Sequence, residues 1–280
     1  METVIEFLQP LFGNVANLSD FKLIIMWVIG GILIYLAVKK DMEPTLLLPM
    51  GFGAILVNLP MSGVVNQIYD GVEEIGVIDL LFNSGIANEL FPLLLFIGIG
   101  AMIDFGPLLS NPKLMLFGAA AQFGIFFTLS MAALFGFDLK DAASIAIIGA
   151  ADGPTSIFVA NYFESNYLGA IIVAAYSYMA LVPIVQPPVI KLLTTKKERL
   201  IRMPYEQKEV SKLTRILFPI FVSIITGIVA PRAVALIGFL MFGNLIRECG
   251  VLNSLSETAQ KVLANLITLL LGISIAARMQ

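Results

Sequence analysis

One carboxylate, Asp152, occupies the eleventh position of a 22-residue stretch, Ala142 to Phe163, that carries no other charge. A stretch of that length can cross a lipid bilayer as a helix, so the sequence predicts that this carboxylate lies near the bilayer midplane. An isolated carboxylate there is energetically costly, and it usually lines the path of an ion or a proton. Asp152 is therefore the first candidate for chemistry in this chain.

The residues around this carboxylate are of types that interrupt a helix and bind a cation. Gly149, Gly153 and Pro154 flank it, and Thr155 follows. Gly and Pro free backbone carbonyls from helical hydrogen bonds, and hard cations prefer such oxygen ligands. We therefore predict a helix break at Gly153 and Pro154 and a cation site formed by Asp152, Thr155, Gly149 and Gly153. Desolvation disfavours the charged form of an unpaired carboxylate, so a cation and a proton can compete for it.

A purely structural role for Asp152 is the alternative. Aspartate is a favourable N-cap residue, and proline is favoured in the first turn of a helix. The Asp-Gly-Pro sequence therefore suits a half-helix that begins immediately after the aspartate. The two roles are compatible, because one carboxylate can cap a helix and bind a cation. A second aspartate, Asp104, opens Asp-Phe-Gly-Pro and is interpreted as a loop or cap residue rather than an ion contact.

The composition is that of an integral membrane protein. Hydrophobic residues make up 58% of the 280 residues and charged residues 13%, whereas soluble domains carry about 25% charged residues. The mean hydropathy is +0.92. The chain has no histidine and a single cysteine, Cys249, which excludes histidine-based catalysis, an intramolecular disulfide and a cysteine metal cluster. The lipid bilayer is therefore the expected surrounding, and the sequence contains no recognisable nucleotide-binding loop or nucleic-acid-binding surface.

The apolar pattern predicts an all-α polytopic membrane protein. The long apolar segments, each a candidate span, are Phe21–Val38, Leu114–Phe135, Ala142–Phe163 and Leu168–Val185. The shorter segments, rich in Gly or bounded by Pro, are Thr45–Leu59, Phe91–Ile103, Leu217–Val229, Ala233–Ile246 and Leu263–Ile275. Short, interrupted segments are typical of half-helices and re-entrant hairpins that line a transport site. The predicted fold is a transporter-like bundle with discontinuous or re-entrant helices.

The distribution of Lys and Arg predicts the orientation of the chain. Lys39 and Lys40 end the first span, and eight basic residues lie between Lys191 and Arg215, so both places are predicted to be cytoplasmic. Between Asp41 and Pro112 there are eight acidic residues and no Lys or Arg. The acidic loop in that region is therefore predicted to lie outside. Five apolar segments separate the two cytoplasmic places, so at least one is expected to be a half-membrane hairpin.

Two glycine-rich segments occur twice in the chain. The segment around Gly53 resembles that around Gly243, and the segment around Gly98 resembles that around Gly272. The charge pattern predicts opposite orientations for the two copies, as in an inverted-repeat transporter. Chance similarity between glycine-rich apolar helices is the alternative.

The repeat predicts three regions. Residues 1–190 form the first repeat region, with an amphipathic lead-in at the N-terminus. Residues 191–215 form a basic cytoplasmic loop, and residues 216–280 begin a second, inverted repeat. In this alignment the counterpart of Asp152 would lie beyond Gln280. The second repeat is therefore expected to be incomplete, with half of the site missing.

Several motifs occur together in a fixed order. They are Gly98-Ile-Gly-Ala-Met-Ile-Asp-Phe-Gly-Pro107, Gly149-Ala-Ala-Asp-Gly-Pro-Thr155, Val173-Ala-Ala-Tyr-Ser-Tyr-Met-Ala-Leu-Val-Pro183 and Phe242-Gly-Asn-Leu-Ile-Arg-Glu-Cys-Gly250. With them, essentially the whole chain resembles the β subunit of the biotin-dependent, sodium-pumping decarboxylases. That family serves oxaloacetate, methylmalonyl-CoA, glutaconyl-CoA and malonate decarboxylase complexes. Its members continue beyond the length of this chain, so the resemblance implies that the C-terminal part is lacking.

The resemblance implies an activity and two catalytic residues. In the family this subunit accepts carboxybiotin from a mobile biotin carrier and decarboxylates it, which drives sodium out of the cell and consumes a proton. It implies that Asp152 is the carboxylate that binds sodium and exchanges a proton. It also implies that Tyr178 is the family tyrosine linked to ion or proton handling. The truncated chain by itself is expected to be impaired or inactive.

The resemblance also implies the cofactors and partners. The ions and cofactors are sodium and a carboxybiotin carried by a partner subunit. The partners are a biotin-carrier/carboxyltransferase α subunit and a small γ-type membrane subunit, assembled in an oligomeric complex in the inner (plasma) membrane. Two alternatives remain at this point. One is a stand-alone secondary transporter such as a sodium/proton exchanger, and the other is a non-catalytic membrane anchor of a decarboxylase complex.

Overall fold

A computed structural model of the protein describes residues 20–69, 71–202 and 210–280. Its α-helices, numbered in chain order, are Phe21–Lys40 (α1), Pro44–Val57 (α2), Val77–Leu81 (α3), Leu90–Met102 (α4), Gly106–Ser110 (α5), Met115–Leu134 (α6), Leu139–Ala146 (α7), Gly153–Tyr162 (α8), Leu168–Leu193 (α9), Lys196–Arg199 (α10), Lys212–Val229 (α11), Val234–Cys249 (α12), Asn253–Glu257 (α13) and Ala264–Ile275 (α14). The 3-10 helices are Pro112–Leu114, Ile147–Ala150, Pro231–Ala233 and Ala276–Arg278, and the π-helices are Phe82–Ala87 and Thr258–Leu263. The strands Gln67–Tyr69 (β1) and Val72–Glu74 (β2) form an antiparallel hairpin. The predicted amphipathic lead-in lies outside the described residues.

The predicted all-α polytopic membrane protein is confirmed. Among the described residues, the helical segments long and apolar enough to cross a membrane alone are Phe21–Lys40, Pro112–Leu134, Lys212–Val229 and Asn253–Arg278. Two further pairs qualify only together, because each is bent: Val77–Ala87 with Leu90–Met102 by 61°, and Leu168–Met179 with Ile184–Leu193 by 63°. In the segment Pro112–Leu134, which contains α6, none of the apolar stretch is buried inside the protein, as is expected of a helix that faces lipid.

Two segments predicted to be short are longer in the structure. Leu217–Val229 is the apolar part of α11, which begins at Lys212. Leu263–Ile275 belongs to a continuous helical segment that runs from Asn253 to Arg278. The sequence pattern ended both segments at polar residues, whereas helical hydrogen bonds continue through them. Long cationic side chains at such helix ends reach the membrane surface while their stems pack on apolar neighbours.

The predicted span Leu168–Val185 is part of the longer helix α9. This helix has 26 residues and bends by 63° between Met179 and Ile184. The sequence of this stretch includes a proline, and a proline lacks the N–H that would bond to the carbonyl four residues earlier.

One compact unit of the fold contains the described residues up to position 90 and those from position 268 onward. Within this unit α2 packs closely against the last helical turns of the chain. A Cβ built on Gly53 would lie 2.7 Å from Ala276 Cβ and 3.2 Å from the Ile273 carbonyl oxygen. These distances mean that the two backbones approach each other almost without intervening side chains.

The second compact unit comprises residues 91–267. Within it α4 and α12 cross at close range. A Cβ on Gly100 would overlap the Leu240 carbonyl oxygen, and a Cβ on Gly243 would overlap the Ile97 carbonyl oxygen. Small residues at helix crossings allow this approach within a membrane.

The segments before α4 and before α14 have the same unusual local structure. In each, a five-residue α-helix is followed by a six-residue π-helix: α3 with Phe82–Ala87, and α13 with Thr258–Leu263. Fewer than about 1% of residues in proteins are in π-helices. The two π-helices are equal in length, and they end 11 residues before Gly98 and 9 residues before Gly272. This shared local structure favours a repeat over chance similarity of the two glycine-rich segments.

Candidate ion-binding site

The predicted interruption lies between α7 and α8. The chain leaves α7 through the 3-10 turn Ile147–Ala150, and Ala151 then adopts a left-handed conformation with φ 54° and ψ 37°. Asp152 is extended and is the N-cap of α8, whose first two residues are Gly153 and Pro154. A left-handed conformation costs a non-glycine residue about 1–2 kcal/mol, so packing elsewhere must hold this backbone in place.

Three successive residues after the interruption do not donate a backbone hydrogen bond to the carbonyl four residues earlier. The Gly153 N–H donates to Met179 Sδ at 3.1 Å. Pro154 has no N–H, and the Thr155 N–H points at the Asp152 carboxylate at 3.5 Å. In a continuous helix these groups would bond to the carbonyls four residues earlier. The carbonyls that lose these donors are those of Gly149, Ala150 and Ala151.

The Asp152 carboxylate has few partners for a half-buried charge. Its hydrogen bonds come from the backbone N–H of Thr155 at 3.5 Å and from the Thr155 hydroxyl. None of the salt bridges among the described residues includes Asp152. Because no cationic side chain in the described part of the chain forms an ion pair with it, the carboxylate is available to a cation or a proton.

A second element, α9, packs directly against the start of α8. Tyr176 is only 2% exposed, and its ring lies so close to Gly153 that a Cβ there would be 2.5 Å from Tyr176 Cζ. Met179, one turn further along the same helix, accepts the hydrogen bond from Gly153. Gly153 is thus needed for close packing of the two helices.

The structure places Tyr178 on a different side of α9. Residues two apart on a helix are separated by about 200° around its axis, so Tyr176 and Tyr178 cannot face the same neighbour. Tyr178 is 41% exposed. The sequence favours Tyr178 and offers Tyr176 only as a weaker candidate, yet Tyr176 is the tyrosine that lies against the interruption. Tyr176 and Met179, three residues apart, share one face of α9.

The other predicted site residues lie within or beside the interruption. Thr155 bonds to the carboxylate with both its hydroxyl and its backbone. Gly149 lies in the exposed 3-10 turn, where a Cβ would meet Ile125 at an ordinary 3.7 Å. The structure therefore brings Asp152, Thr155, Gly153 and Pro154 together, and Gly149 contributes through its backbone.

The loop after α8 is held by a buried carboxylate, Asp141, at the start of α7. Asp141 is 6% exposed and accepts hydrogen bonds from the Ser165 hydroxyl at 2.7 Å, from the Asn166 N–H at 3.1 Å and from Asn166 Nδ2 at 3.3 Å. This cluster ties both ends of the interrupted segment together.

Asp104 contrasts with Asp152. Its carboxylate accepts a hydrogen bond from the Gly106 N–H at 2.8 Å and lies 3.7 Å from the Arg215 guanidinium. Arg215 also pairs with Glu248 at 3.6 Å. A carboxylate that shares a guanidinium and caps the turn before α5 has a structural role, as the sequence analysis predicted.

The fold and the site together define a multi-pass membrane protein with an unpaired carboxylate at a helix interruption. The family model described as the Na+-transporting oxaloacetate decarboxylase beta subunit matches residues 22–280. The chain belongs to this family, which confirms the resemblance drawn from the motifs. It is accordingly a multi-pass protein of the inner membrane.

Curated relatives carry several substrate names. The chain is 49% identical to the methylmalonyl-CoA decarboxylase subunit beta of Veillonella parvula, over 89% of this chain and 64% of the relative. It is 48% identical to the glutaconyl-CoA decarboxylase subunit beta of Acidaminococcus fermentans, over 89% and 64%. It is 40% identical to the oxaloacetate decarboxylase beta chain of Haemophilus ducreyi, over 100% and 76%. The chain therefore spans about 64% of the length of the first two relatives.

Proposed function

We propose that this chain forms the greater part of the membrane subunit of a sodium-translocating decarboxylase. The subunit decarboxylates carboxybiotin on a carrier protein and couples this reaction to sodium export and proton consumption. Its partners are a biotin-carrier/carboxyltransferase α subunit and a small γ-type membrane subunit. The observation that carries the proposal is the unpaired Asp152 carboxylate at the interruption between α7 and α8, in a chain of this family.

The chemistry of the interruption supports binding of a small monovalent cation. One anionic oxygen, one hydroxyl and carbonyls that have lost their helical donors are available within a few residues of one another. Oxygen atoms of this kind can replace the hydration shell of sodium. A proton can occupy the same carboxylate, so binding of sodium and of a proton are mutually exclusive. In this way one residue links ion release to proton uptake, the coupling that decarboxylation of carboxybiotin requires.

The architecture supports the proposal that residues 1–190 and 216–280 are inverted repeats around a basic segment, 191–215. The matching α-π segments give the two copies one local structure. Packing is also reciprocal, because α2 of the first copy contacts α14 of the second, while α4 of the first contacts α12 of the second. Reciprocal contacts of this kind are expected when two copies of one motif assemble face to face.

The test is Asp152→Asn in the full-length complex, with Asp138→Asn as the matched control. Both aspartates are N-caps, of α8 and α7, whose carboxylates accept a backbone hydrogen bond from their helix. Asparagine caps a helix as well as aspartate does, so the substitution removes the charge and retains the cap. We expect Asp152→Asn to abolish sodium-dependent decarboxylation of carrier-bound carboxybiotin and Asp138→Asn to leave it intact.

Two outcomes would contradict the proposal in different ways. Full sodium-dependent turnover by the Asp152→Asn complex would leave this aspartate with the cap role alone. Sodium/proton exchange in liposomes that contain no biotin carrier would instead favour a stand-alone exchanger.

A further inference from the structure

Tyr176 carries a buried hydroxyl group without a hydrogen-bond partner among the described residues. The side chain is 2% exposed, so water at the protein surface does not form a hydrogen bond with it either. Buried hydroxyl groups in proteins are nearly always hydrogen-bonded. A phenylalanine would fill the same space without burying a polar atom that lacks a hydrogen-bond partner. The packing of α9 therefore does not explain why this residue carries a hydroxyl group.

The surroundings of this hydroxyl group are those of the interruption. The Tyr176 ring lies against Gly153, the first residue of the ten-residue helix α8. A Cβ on Gly153 would lie 2.5 Å from Tyr176 Cζ, the carbon that carries the hydroxyl group, and Asp152 immediately precedes Gly153 as the N-cap of α8. No hydrogen bond joins the phenol to the carboxylate. The hydroxyl group and the Asp152 carboxylate therefore both lie at the start of α8 without a direct contact. A cation between two such oxygens would serve both of them.

We infer that the Tyr176 hydroxyl oxygen is a third side-chain ligand of the sodium ion, together with Asp152 and Thr155. The inference rests on the proposed function, because it names a further residue of the same site. It also assigns the ligand to Tyr176 rather than to Tyr178, which lies about 200° away around α9. The packing of Gly153 against the ring holds the phenol at the start of α8, next to Asp152 in the chain.

The geometry gives Tyr176→Phe two opposite consequences. Without sodium, the variant has lost a buried polar atom that nothing serves, so its melting temperature stays the same or rises. With sodium, the variant has lost one oxygen ligand. We expect the sodium concentration for half-maximal stabilisation and half-maximal turnover to rise about tenfold, the equivalent of about 1.4 kcal/mol. The turnover rate at saturating sodium should be retained.

The experiment uses the purified full-length complex and sodium chloride as the probe, with potassium chloride to hold ionic strength constant. Melting temperature and carboxybiotin decarboxylation are both followed as sodium is titrated, for wild type, Tyr176→Phe, Asp152→Asn and Tyr167→Phe. Tyr167 precedes α9 and is 46% exposed, so its substitution controls for the loss of a phenol oxygen. A rise in half-saturation confined to Tyr176→Phe and Asp152→Asn supports the inference.

Two results would overturn it. An unchanged sodium half-saturation in Tyr176→Phe would show that the hydroxyl is not a ligand. A large drop in melting temperature without sodium would show that it supports the fold instead. If Asp152→Asn also keeps normal sodium binding, the proposed function of the whole site fails, and not only the role of Tyr176.

Discussion

Replacing Gly153 with alanine tests whether α8 and α9 meet as closely as the structure shows. A Cβ at this position would lie 2.5 Å from Cζ and 2.9 Å from Cδ1 of the Tyr176 ring. Carbon atoms in contact are normally about 3.5–4.0 Å apart, so the added methyl group overlaps the ring by about 1 Å. The ring is buried and cannot withdraw into solvent. The two helices must therefore separate, or the ring must leave its rotamer.

The overpacking cost of the added methyl group is opposed by the higher helix propensity of alanine compared with glycine. Overpacking a well-packed position costs about 1–3 kcal/mol, whereas alanine in place of glycine stabilises a helix interior by up to about 1 kcal/mol. The preference is smaller at the first residue of a helix, where Gly153 lies. We therefore expect a net loss of about 1–2 kcal/mol in the free energy of unfolding, which lowers the melting temperature by roughly 2–8 °C.

Gly149→Ala is the matched control within the same interruption. A Cβ there would meet Ile125 at 3.7 Å, an ordinary contact, so the expected change is within about 0.5 kcal/mol. Both variants are compared with wild type by thermal unfolding of the detergent-purified complex. If Gly153→Ala is as stable as Gly149→Ala, the close approach of Tyr176 to the start of α8 is wrong, and the argument for the Tyr176 ligand loses its geometric basis.

Two further substitutions test the fold that holds the site. Gly243→Ala should lower the free energy of unfolding by about 1–3 kcal/mol, because its Cβ would overlap the Ile97 carbonyl oxygen. Gly238→Ala in the same helix has open space and should raise the free energy of unfolding by up to about 1 kcal/mol. Equal shifts of the two variants on thermal unfolding would contradict the α4–α12 crossing. Asp141→Ala should lower the melting temperature by roughly 5 °C, since one buried and two partly buried hydrogen bonds lose their acceptor. The exposed cap variant Asp138→Ala should have a smaller effect, and the reverse order would show that the Asp141 cluster does not hold the loop.

The position of the site could be predicted because it depends on local chemistry. An isolated charge within an apolar span and an adjacent Gly-Pro pair are visible without a fold, and the structure has an interruption next to them. Even so, the pattern placed the break at Gly153 and Pro154. In the structure the chain turns at Ala151 and Asp152, and Gly153 and Pro154 already belong to α8. A proline at the start of a helix and a proline that breaks one give the same signal in a sequence.

The choice between Tyr176 and Tyr178 could not be predicted, because it depends on the rotation of α9 about its axis. Both tyrosines lie in one apolar run, and neither face of that run is polar enough to reveal which side packs against protein. The rotation of α9 about its axis is set by contacts with α8, where Met179 accepts a hydrogen bond and the Tyr176 ring covers Gly153. Tertiary packing thus decides which tyrosine lies against the interruption, which periodicity leaves open. The lengths of α11 and of the last helical segment were missed for a related reason, since their polar ends continue the helix.

The balance of charge at the interruption bears on why such a site can release its ion. The N-terminus of α8 carries a partial positive charge equivalent to about half an elementary charge, and Asp152 caps that end. A cation bound to the carboxylate therefore meets some repulsion from the helix as well as attraction from the anion. In the proposed site, the carbonyls of Gly149, Ala150 and Ala151 would offset that repulsion with neutral dipoles. One full charge, one helix end and neutral oxygens would bind a monovalent cation weakly enough to let it leave, whereas a second carboxylate would retain it. Transport across a membrane depends on this intermediate affinity, and a single aspartate in an otherwise uncharged span would provide it.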